Sequence, residues 1–167
     1  MDQEIMVFNP KSLEEIEPKK LKHALLKVSF ETLCSQYGLN SALIGPAKEN
    51  LDIVVSENRD FPCFLVKYGG DRDRPLFVYD RQLESQKGMR IWDGITGGSN
   101  SKEVNTHLSK TNFLVKIELG QKQLSDMGLL LAYEISRWAA VKGRGIVLGL
   151  DGSWYRLNQH GAFLPLE

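Results

Sequence analysis

The sequence predicts an α+β fold in which a largely antiparallel sheet packs with an N-terminal helix and one long helix in the C-terminal half. Three observations predict it: an amphipathic helical pattern near the N-terminus, short β-rich segments from Leu51 onward, and a long apolar helical pattern over Gln121–Lys142. The strands come in groups and do not alternate regularly with helices, which favours α+β over α/β. We expect a single domain over residues 1–167, with an N-terminal helical part at about 11–38 and a sheet-rich part at about 51–167.

The N-terminal helical part begins with the spacing of a capping box. Ser12 and Glu15 have this spacing and predict a short helical turn, which Pro18 interrupts. A longer helix is expected from about Lys19, with Gly38 as its C-terminal stop. Its apolar face is formed by Leu21, Leu25, Val28, Leu33 and Tyr37.

The next part of the chain alternates between β-rich and turn-forming compositions, as an antiparallel meander does. The predicted strands are LDIVVS (51–56), FPCFLVKY (61–68), PLFVYD (75–80) and GMRIWD (88–93). A short helix with Asn100 as a candidate N-cap is expected next, followed by the strand TNFLVKIEL (111–119).

The helix over Gln121–Lys142 is the central packing element of the prediction, because its apolar residues recur at steps of three and four and Gly143 follows its last turn. These residues are Leu124, Met127, Leu131, Ile135 and Trp138. The strands GIVLGL and SWYRL follow, joined by the hairpin signal Asp151-Gly152, and AFLPL comes after them. The strand–helix–strand stretch 111–150 is the place for a crossover connection.

Composition and charge narrow the classes of function. The 21 basic side chains balance 21 acidic ones, so no overall field favours nucleic acid or an anionic membrane. The N-terminal segment has no cationic lead or apolar stretch, and no apolar run approaches the roughly 18 residues of a membrane span. We therefore expect a soluble, cytoplasmic protein without a membrane partner. Cys34 and Cys63 lie in apolar surroundings, which suits buried thiols in a reducing compartment.

Sequence motifs for catalysis or metal binding are missing. The three histidines are scattered, and neither H-E-x-x-H nor Cys-x-x-Cys occurs. No G-x-S-x-G motif is present either. His23 and Cys34 would lie about 16 Å apart along one helix, too far for a catalytic dyad. We expect no catalytic residue, no metal and no cofactor.

The segment GITGGSN (94–100) has the composition of a phosphate-binding loop. It departs from the P-loop pattern because Lys102 comes too late, and it departs from G-x-G-x-x-G as well. A predicted strand precedes the segment and a predicted helix follows it, which is consistent with an anion site. The residues that would form this site are Gly97, Gly98, Ser99 and Asn100. The alternative is a connector without a ligand.

Residues 111–157 place a strand, a long apolar helix and a hairpin with an acidic-Gly turn before an aromatic residue. This order resembles the C-terminal part of several families of small bacterial immunity proteins, which neutralise polymorphic or contact-delivered toxins. The resemblance implies a cytoplasmic, non-catalytic α+β protein that binds one cognate toxin, and it assigns no individual residue. Many of these proteins are acidic, whereas this chain is balanced in charge.

Candidate partner-binding residues lie near two turns. Strand alternation in SWYRL places Trp154 and Arg156 on one face, while Leu157 should face the core. Trp and Arg are enriched among interface hot spots, so both are candidates; the alternative is that Trp154 covers a sheet edge or packs under a loop. Arg72 and Arg74 in the charged turn GGDRDRP (69–75) are further candidates, although such a turn is usually a solvated hairpin tip.

The predicted function is therefore a non-catalytic protein-binding module, with toxin immunity as its most specific form. One alternative is an enzyme with a dispersed site around the 93–107 loop, including Asp93 and His107. The other is a small nucleic-acid-binding regulatory protein that uses the lysines of the N-terminal part. Those lysines are Lys11, Lys19, Lys20, Lys22 and Lys27, beside the acids Glu14, Glu15 and Glu17.

Overall fold

The computed structural model describes residues 3–14, 16–56, 63–70, 73–83 and 101–166, and the α+β class is confirmed there. The strands are β1 (Gln3–Asn9), β2 (Asp52–Ser56), β3 (Cys63–Lys67), β4 (Leu76–Gln82), β5 (Phe113–Leu119), β6 (Ile146–Leu148), β7 (Trp154–Leu157) and β8 (Phe163–Pro165). The α-helices are α1 (Pro18–Leu26), α2 (Phe30–Tyr37), α3 (Ile44–Asn50), α4 (Lys102–Ser109) and α5 (Met127–Gly143).

The eight strands form one antiparallel sheet in the order β2-β3-β4-β5-β1-β6-β7-β8. The sequence left the placement of the first ten residues open, and the structure puts β1 inside the sheet, where Val7 pairs with Val115 of β5 and Val147 of β6. Since β5 and β6 are both antiparallel to β1, they run in the same direction. The chain passes from β5 to β6 through α5, so the predicted crossover is present.

Most of the predicted strands are confirmed, because β2 to β5 and the C-terminal hairpin fall on the segments chosen for their β-rich composition. The predicted strand GMRIWD (88–93) lies outside the described residues. In β7 the alternation is as predicted: Tyr155 and Leu157 pack against one hydrophobic cluster, and Trp154 packs against another on the opposite face.

The prediction of one helix from Lys19 to Gly38 is wrong, because the chain forms two helices separated at residues 27–29. Leu25 and Phe30 are both buried in the same core. Five residues apart on one continuous helix, they would point about 140° away from each other, so the break allows both to face inward. It also places His23 and Cys34 on different helices. Gly38 does end α2, with a φ of 67°.

The short helical turn predicted from Ser12 and Glu15 is also wrong. The Ser12 hydroxyl accepts a hydrogen bond from the backbone N–H of Glu14, and the described residues 12–14 and 16–17 are not helical. Helix α1 begins at Pro18, whose fixed φ and missing N–H suit the first turn of a helix.

The long helix begins later than predicted. Gln121–Ser125 forms a 3₁₀ helix, and α5 begins after Asp126, whose carboxylate accepts a hydrogen bond of 2.7 Å from the N–H of Gly128. Its apolar stripe packs on the sheet as predicted: Met127, Leu131 and Ile135 are buried, and Leu124 and Trp138 are half-buried against the same core. The helix continues through Gly143, and the residue that ends it is Arg144.

The short helix before β5 is confirmed as α4, but Asn100 is not its N-cap. Ser101 occupies that position, and its hydroxyl accepts a hydrogen bond of 3.3 Å from the N–H of Val104. A hydroxyl at this position satisfies one of the unpaired donors of the first turn.

Hydrophobic cores lie on both faces of the sheet. The α5 face is covered by α1, α2, α3 and α5, and its core includes Val7, Val115 and Leu131. The α4 face carries a smaller cluster of described residues around Phe8 and Leu108.

Candidate functional site

The described residues that the sequence predicted for partner binding, Trp154, Arg156 and Arg74, differ in burial and in contacts. Trp154 lies on the α4 face, half-buried, with its ring centroid 5.2 Å from that of Phe8. Arg156 is exposed on the same face, and its Nε lies 4.0 Å from Oε1 of Glu103. Trp154 thus adopts the packed arrangement that the sequence analysis kept as an alternative, whereas Arg156 is open to solvent.

The other described candidate, Arg74, does not join Arg156, because three strands of the sheet separate β4 from β7. Arg74 lies beside β4, where its guanidinium stacks over the Phe77 ring at 5.4 Å and its carbonyl accepts a hydrogen bond from Gln123. Arg72 and the candidate anion site at Gly97, Gly98, Ser99 and Asn100 lie outside the described residues, as does Asp93.

A groove of about 1130 Å³ opens where α1, the C-terminal half of α5 and the turn between β7 and β8 meet. We call it the C-terminal groove. Leu21, Leu25 and Ala140 give it an apolar floor. Val141, 57% exposed, and Trp138 present further apolar surface inside it.

The walls of the C-terminal groove are predominantly cationic, although the formal net charge of the chain is zero. Two acids, Glu17 and Glu134, face a larger set of basic side chains. The basic residues are Lys20, Arg137, Lys142, Arg144 and Arg156. Clefts lined by one sign of charge concentrate ligands of the opposite sign, so this groove suits an anionic group.

Some of these cations already have acidic neighbours. Lys20 pairs with Glu17 at 3.1 Å, but both side chains are largely exposed, and such a pair gives little binding energy. Lys142 stacks over the Trp138 ring, with its Nζ 5.2 Å from the centroid. Within the described part of the chain, Lys142 and Arg144 form no ion pair. The charge of Lys142 acts on the buried carboxyl of Asp80, where it opposes the rise in pKa that burial causes. Arg144 is therefore the groove cation whose charge is most available for a ligand.

A buried acid lies in the wall of the groove. The side chain of Glu134 is 5% exposed, and Oε1 lies 3.2 Å from the guanidinium of Arg137 without forming a hydrogen bond. Burial raises the pKa of Glu134, and the charge of Arg137 opposes that shift. Arg137 in turn stacks over Phe163, with its Cζ 4.9 Å from the ring centroid. This arrangement fixes one cation on the groove side of β8.

Arg144 has a backbone conformation that L-residues adopt at a cost. Its φ is 59° and its ψ 40°, the left-handed region that glycine favours at helix ends. Glycines flank it on both sides, and each is needed for space: a Cβ on Gly143 would clash with Asn9, and one on Gly145 with Asn9 and the Phe8 carbonyl. The left-handed position itself is occupied by an exposed arginine that lines the groove.

The two cysteines have the environment of core residues. The thiols of Cys34 and Cys63 are both buried, and burial raises the pKa of Cys34, with Glu31 adding to the effect. A thiol in this setting is a poor nucleophile. His107 and His160 line the groove, but no group of three or more potential metal ligands occurs among the described residues.

Sequence reasoning missed most of this site. Arg137 and Lys142 lie on a helix that was examined for its apolar stripe, and Gly143 was interpreted as a helix stop. The available signal was the triplet Gly143-Arg144-Gly145 at the end of that helix, in which a cation stands between two residues of unusual conformational freedom.

Comparisons with protein-family models, with curated proteins and with solved structures find no match to this chain. In the described part of the structure, no helix has the length and hydrophobicity needed to cross a membrane. The geometry of the groove is therefore the basis for assigning a function.

Proposed function

We propose that this protein is a non-catalytic binding protein whose C-terminal groove holds an acidic segment of a protein partner. The specific role that we propose is immunity, in which the protein neutralises a cognate bacterial toxin in the cytoplasm. The order of strand, helix and hairpin in residues 111–157 supports this role, and the cationic groove supports the mode of binding.

The observation on which the proposal chiefly rests is the conformation of Arg144. A left-handed conformation costs a residue with a side chain roughly 1 kcal/mol relative to glycine. Backbone strain of this kind is concentrated at functional sites. Since glycine would relieve the strain and the chain has an exposed, unpaired arginine instead, the side chain itself is the feature to explain.

The charge of the groove specifies the partner. A neutral chain has no long-range attraction for a basic toxin, so a partner recognised here must offer negative charge locally. The apolar floor and Val141 suit a segment in which acidic residues alternate with apolar ones. Such a segment would place its carboxylates near Lys142 and Arg144 and its apolar side chains on Trp138 and Val141.

Arg144→Gly is the variant that tests the proposal. We expect it to stabilise the fold by up to about 1 kcal/mol, because the left-handed strain is released, and to weaken partner binding about tenfold, because a groove cation is lost. The matched control is Lys122→Ala, which removes an exposed cation outside the groove. Binding would be measured by co-expression and calorimetry with the product of the neighbouring gene, and immunity by rescue of growth.

Failure of the neighbouring product to bind or to arrest growth would remove the immunity role. If wild-type protein and Arg144→Gly bound a confirmed partner with equal affinity, the C-terminal groove would not be its binding site. Salt-sensitive binding of the wild type to random-sequence DNA, lost in Arg144→Gly, would instead favour the nucleic-acid alternative.

A further inference from the structure

A second concave site lies on the α5 face near the hairpin between β6 and β7, outside the C-terminal groove. It has a volume of about 440 Å³. This volume is within the usual range for pockets that hold small ligands or single side chains. We call it the tyrosine cup, and it is lined by Tyr37, Tyr133, Tyr155, Phe163, Leu129, Leu150 and Asp151.

The aromatic rings of the tyrosine cup have different orientations. Tyr133 and Tyr155 each meet Phe163 nearly at right angles, with centroid separations of 6.1 and 5.8 Å. Tyr37 stacks on Tyr133 at 5.5 Å. All four rings are half-buried, so together they present a partly dehydrated aromatic surface. The face of an aromatic ring carries negative electrostatic potential and attracts cations.

One ionised group belongs to this cup, and it is a carboxylate. Oδ2 of Asp151 accepts a hydrogen bond of 2.9 Å from the Tyr155 hydroxyl, and Oδ1 accepts one of 3.0 Å from the N–H of Ser153. These bonds fix the carboxylate beside the rings and lower the pKa of Asp151, chiefly through the Ser153 N–H. Among the described residues, no Lys or Arg lines the cup, so the carboxylate of Asp151 has no cationic partner in that lining.

The same aromatic cluster already binds a cation within the protein. The guanidinium of Arg137 stacks over Phe163 with its Cζ 4.9 Å from the ring centroid, and its Nε forms no hydrogen bond. A half-buried aromatic ring at this position therefore holds a cation by stacking. The three tyrosines and Asp151 offer the same chemistry beside Phe163, on rings that stack with no cation among the described residues.

We propose that the tyrosine cup is a binding site for an organic ammonium ion, with the lysine side chain of a protein partner as its occupant. The three tyrosine rings would contact the methylene groups next to the nitrogen, and Asp151 would balance its charge. The expected cation–π contribution corresponds to an affinity gain of about two- to fivefold over a neutral ligand of the same shape. This site is distinct from the C-terminal groove and does not depend on the function proposed for that groove.

The test compares n-butylammonium, a mimic of the lysine side chain, with n-butanol as a neutral ligand of similar shape. Both are titrated into the intact protein while the ring proton resonances of the tyrosines are followed by NMR. We expect n-butylammonium to shift the resonances of Tyr133 and Tyr155 and to bind about two- to fivefold more tightly than n-butanol. Equal affinities, or shifts confined to other tyrosines, would overturn the proposal.

Asp151→Asn tests the part played by charge. The asparagine Oδ1 can still accept the Ser153 N–H, so the turn should remain folded. The affinity for n-butylammonium relative to n-butanol should fall, and the part that the rings contribute should remain. Asp73→Asn is the matched control, because Asp73 is also exposed and also accepts a backbone N–H within its own turn, from Gly70. An unchanged preference in Asp151→Asn, or an equal loss in both variants, would contradict the assigned role of Asp151.

Discussion

In the described part of the chain, the two faces of the sheet carry hydrophobic cores of different size; we call the α5 face, with the larger core, the deeper face. On the α5 face, four helices cover a continuous core that runs from α3 across the sheet to β6. On the α4 face, the described cover is a single helix of eight residues over a smaller cluster. Both sites described above, the C-terminal groove and the tyrosine cup, are built largely on the deeper face. Adjacent strand residues, such as Trp154 and Tyr155, therefore pack against cores of different size. We expect substitutions on the two faces to cost different amounts of stability.

The largest effect is expected from Leu131→Ala on the α5 face. Leu131 is 1% exposed in the middle of α5, against the strands at the centre of the sheet. Its truncation removes buried methyl groups and leaves a cavity in the better-packed core, which should lower the free energy of unfolding by about 2–5 kcal/mol. Urea unfolding followed by circular dichroism measures this loss. An unchanged transition midpoint would show that α5 does not pack on the sheet as described.

A smaller loss of stability is expected from Trp154→Ala on the α4 face. The ring is only half-buried, and its principal described aromatic contact is Phe8. We expect a loss of about 2 kcal/mol, below the usual range for a fully buried tryptophan. Trp154→Phe should restore part of it, because a ring remains against Phe8. If Trp154→Ala lost as much stability as Leu131→Ala, the cores on the two faces would contribute similarly to stability.

Periodicity predicted the elements whose packing follows directly from local pattern. The described strands of the meander, the hairpin at Asp151-Gly152 and the apolar stripe of α5 lie where the pattern predicts them. The predicted start of the long helix was wrong, because residues 121–125 form a 3₁₀ helix and Asp126 is the N-cap of α5. Helix α5 begins at Met127, six residues later than the apolar pattern predicts. The carboxylate of its N-cap, Asp126, accepts hydrogen bonds from the Gly128 N–H and from the Tyr68 hydroxyl, 58 residues away in sequence.

The sites were less predictable because they depend on tertiary neighbours. Arg156 was selected from strand alternation, but its position in the groove depends on α1 and on the end of α5. The strain at Arg144 arises because Gly143 and Gly145 must pass close to Asn9, on a strand more than 130 residues earlier. Strand alternation and residue type made Trp154 a candidate as well, but its contact with Phe8 depends on the N-terminal segment lying inside the sheet.

The buried acid of the deeper face gives a pH-dependent prediction. Burial raises the folded-state pKa of Glu134 above its ordinary value of 4.5, despite the opposing charge of Arg137. The stabilisation from protonated Glu134 is therefore complete below about pH 4.5 and is lost as pH rises through the folded-state pKa. Glu134→Gln stays neutral, so at pH 7 it should equal or exceed the wild type in stability, by about 1 kcal/mol or less.

The measurement for Glu134→Gln is urea unfolding at pH 4 and pH 7. The free energy of unfolding of Glu134→Gln, relative to that of the wild type, should be higher at pH 7 than at pH 4. Glu49→Gln, at an exposed position on α3, is the control and should show no such change. A variant that loses stability on going from pH 4 to pH 7 relative to the wild type would show that the ion pair with Arg137 outweighs burial.

The smallest effect on stability is expected from Arg156→Ala, which lies on the same face and the same strand as Trp154. The side chain is 47% exposed, and its 4.0 Å contact with Glu103 is a surface ion pair. Pairs of this kind contribute about 0–1 kcal/mol, so the free energy of unfolding should change by no more than about 0.5 kcal/mol.

The charge of Arg156 faces the C-terminal groove, so the affinity of Arg156→Ala for an acidic partner should fall several-fold although the fold is intact. Paired measurements on Arg156→Ala and Trp154→Ala then separate the two residues that strand alternation grouped together. The comparison fails if Arg156→Ala destabilises the protein as much as Trp154→Ala, since Arg156 would then be part of the α4-face core and not of the groove.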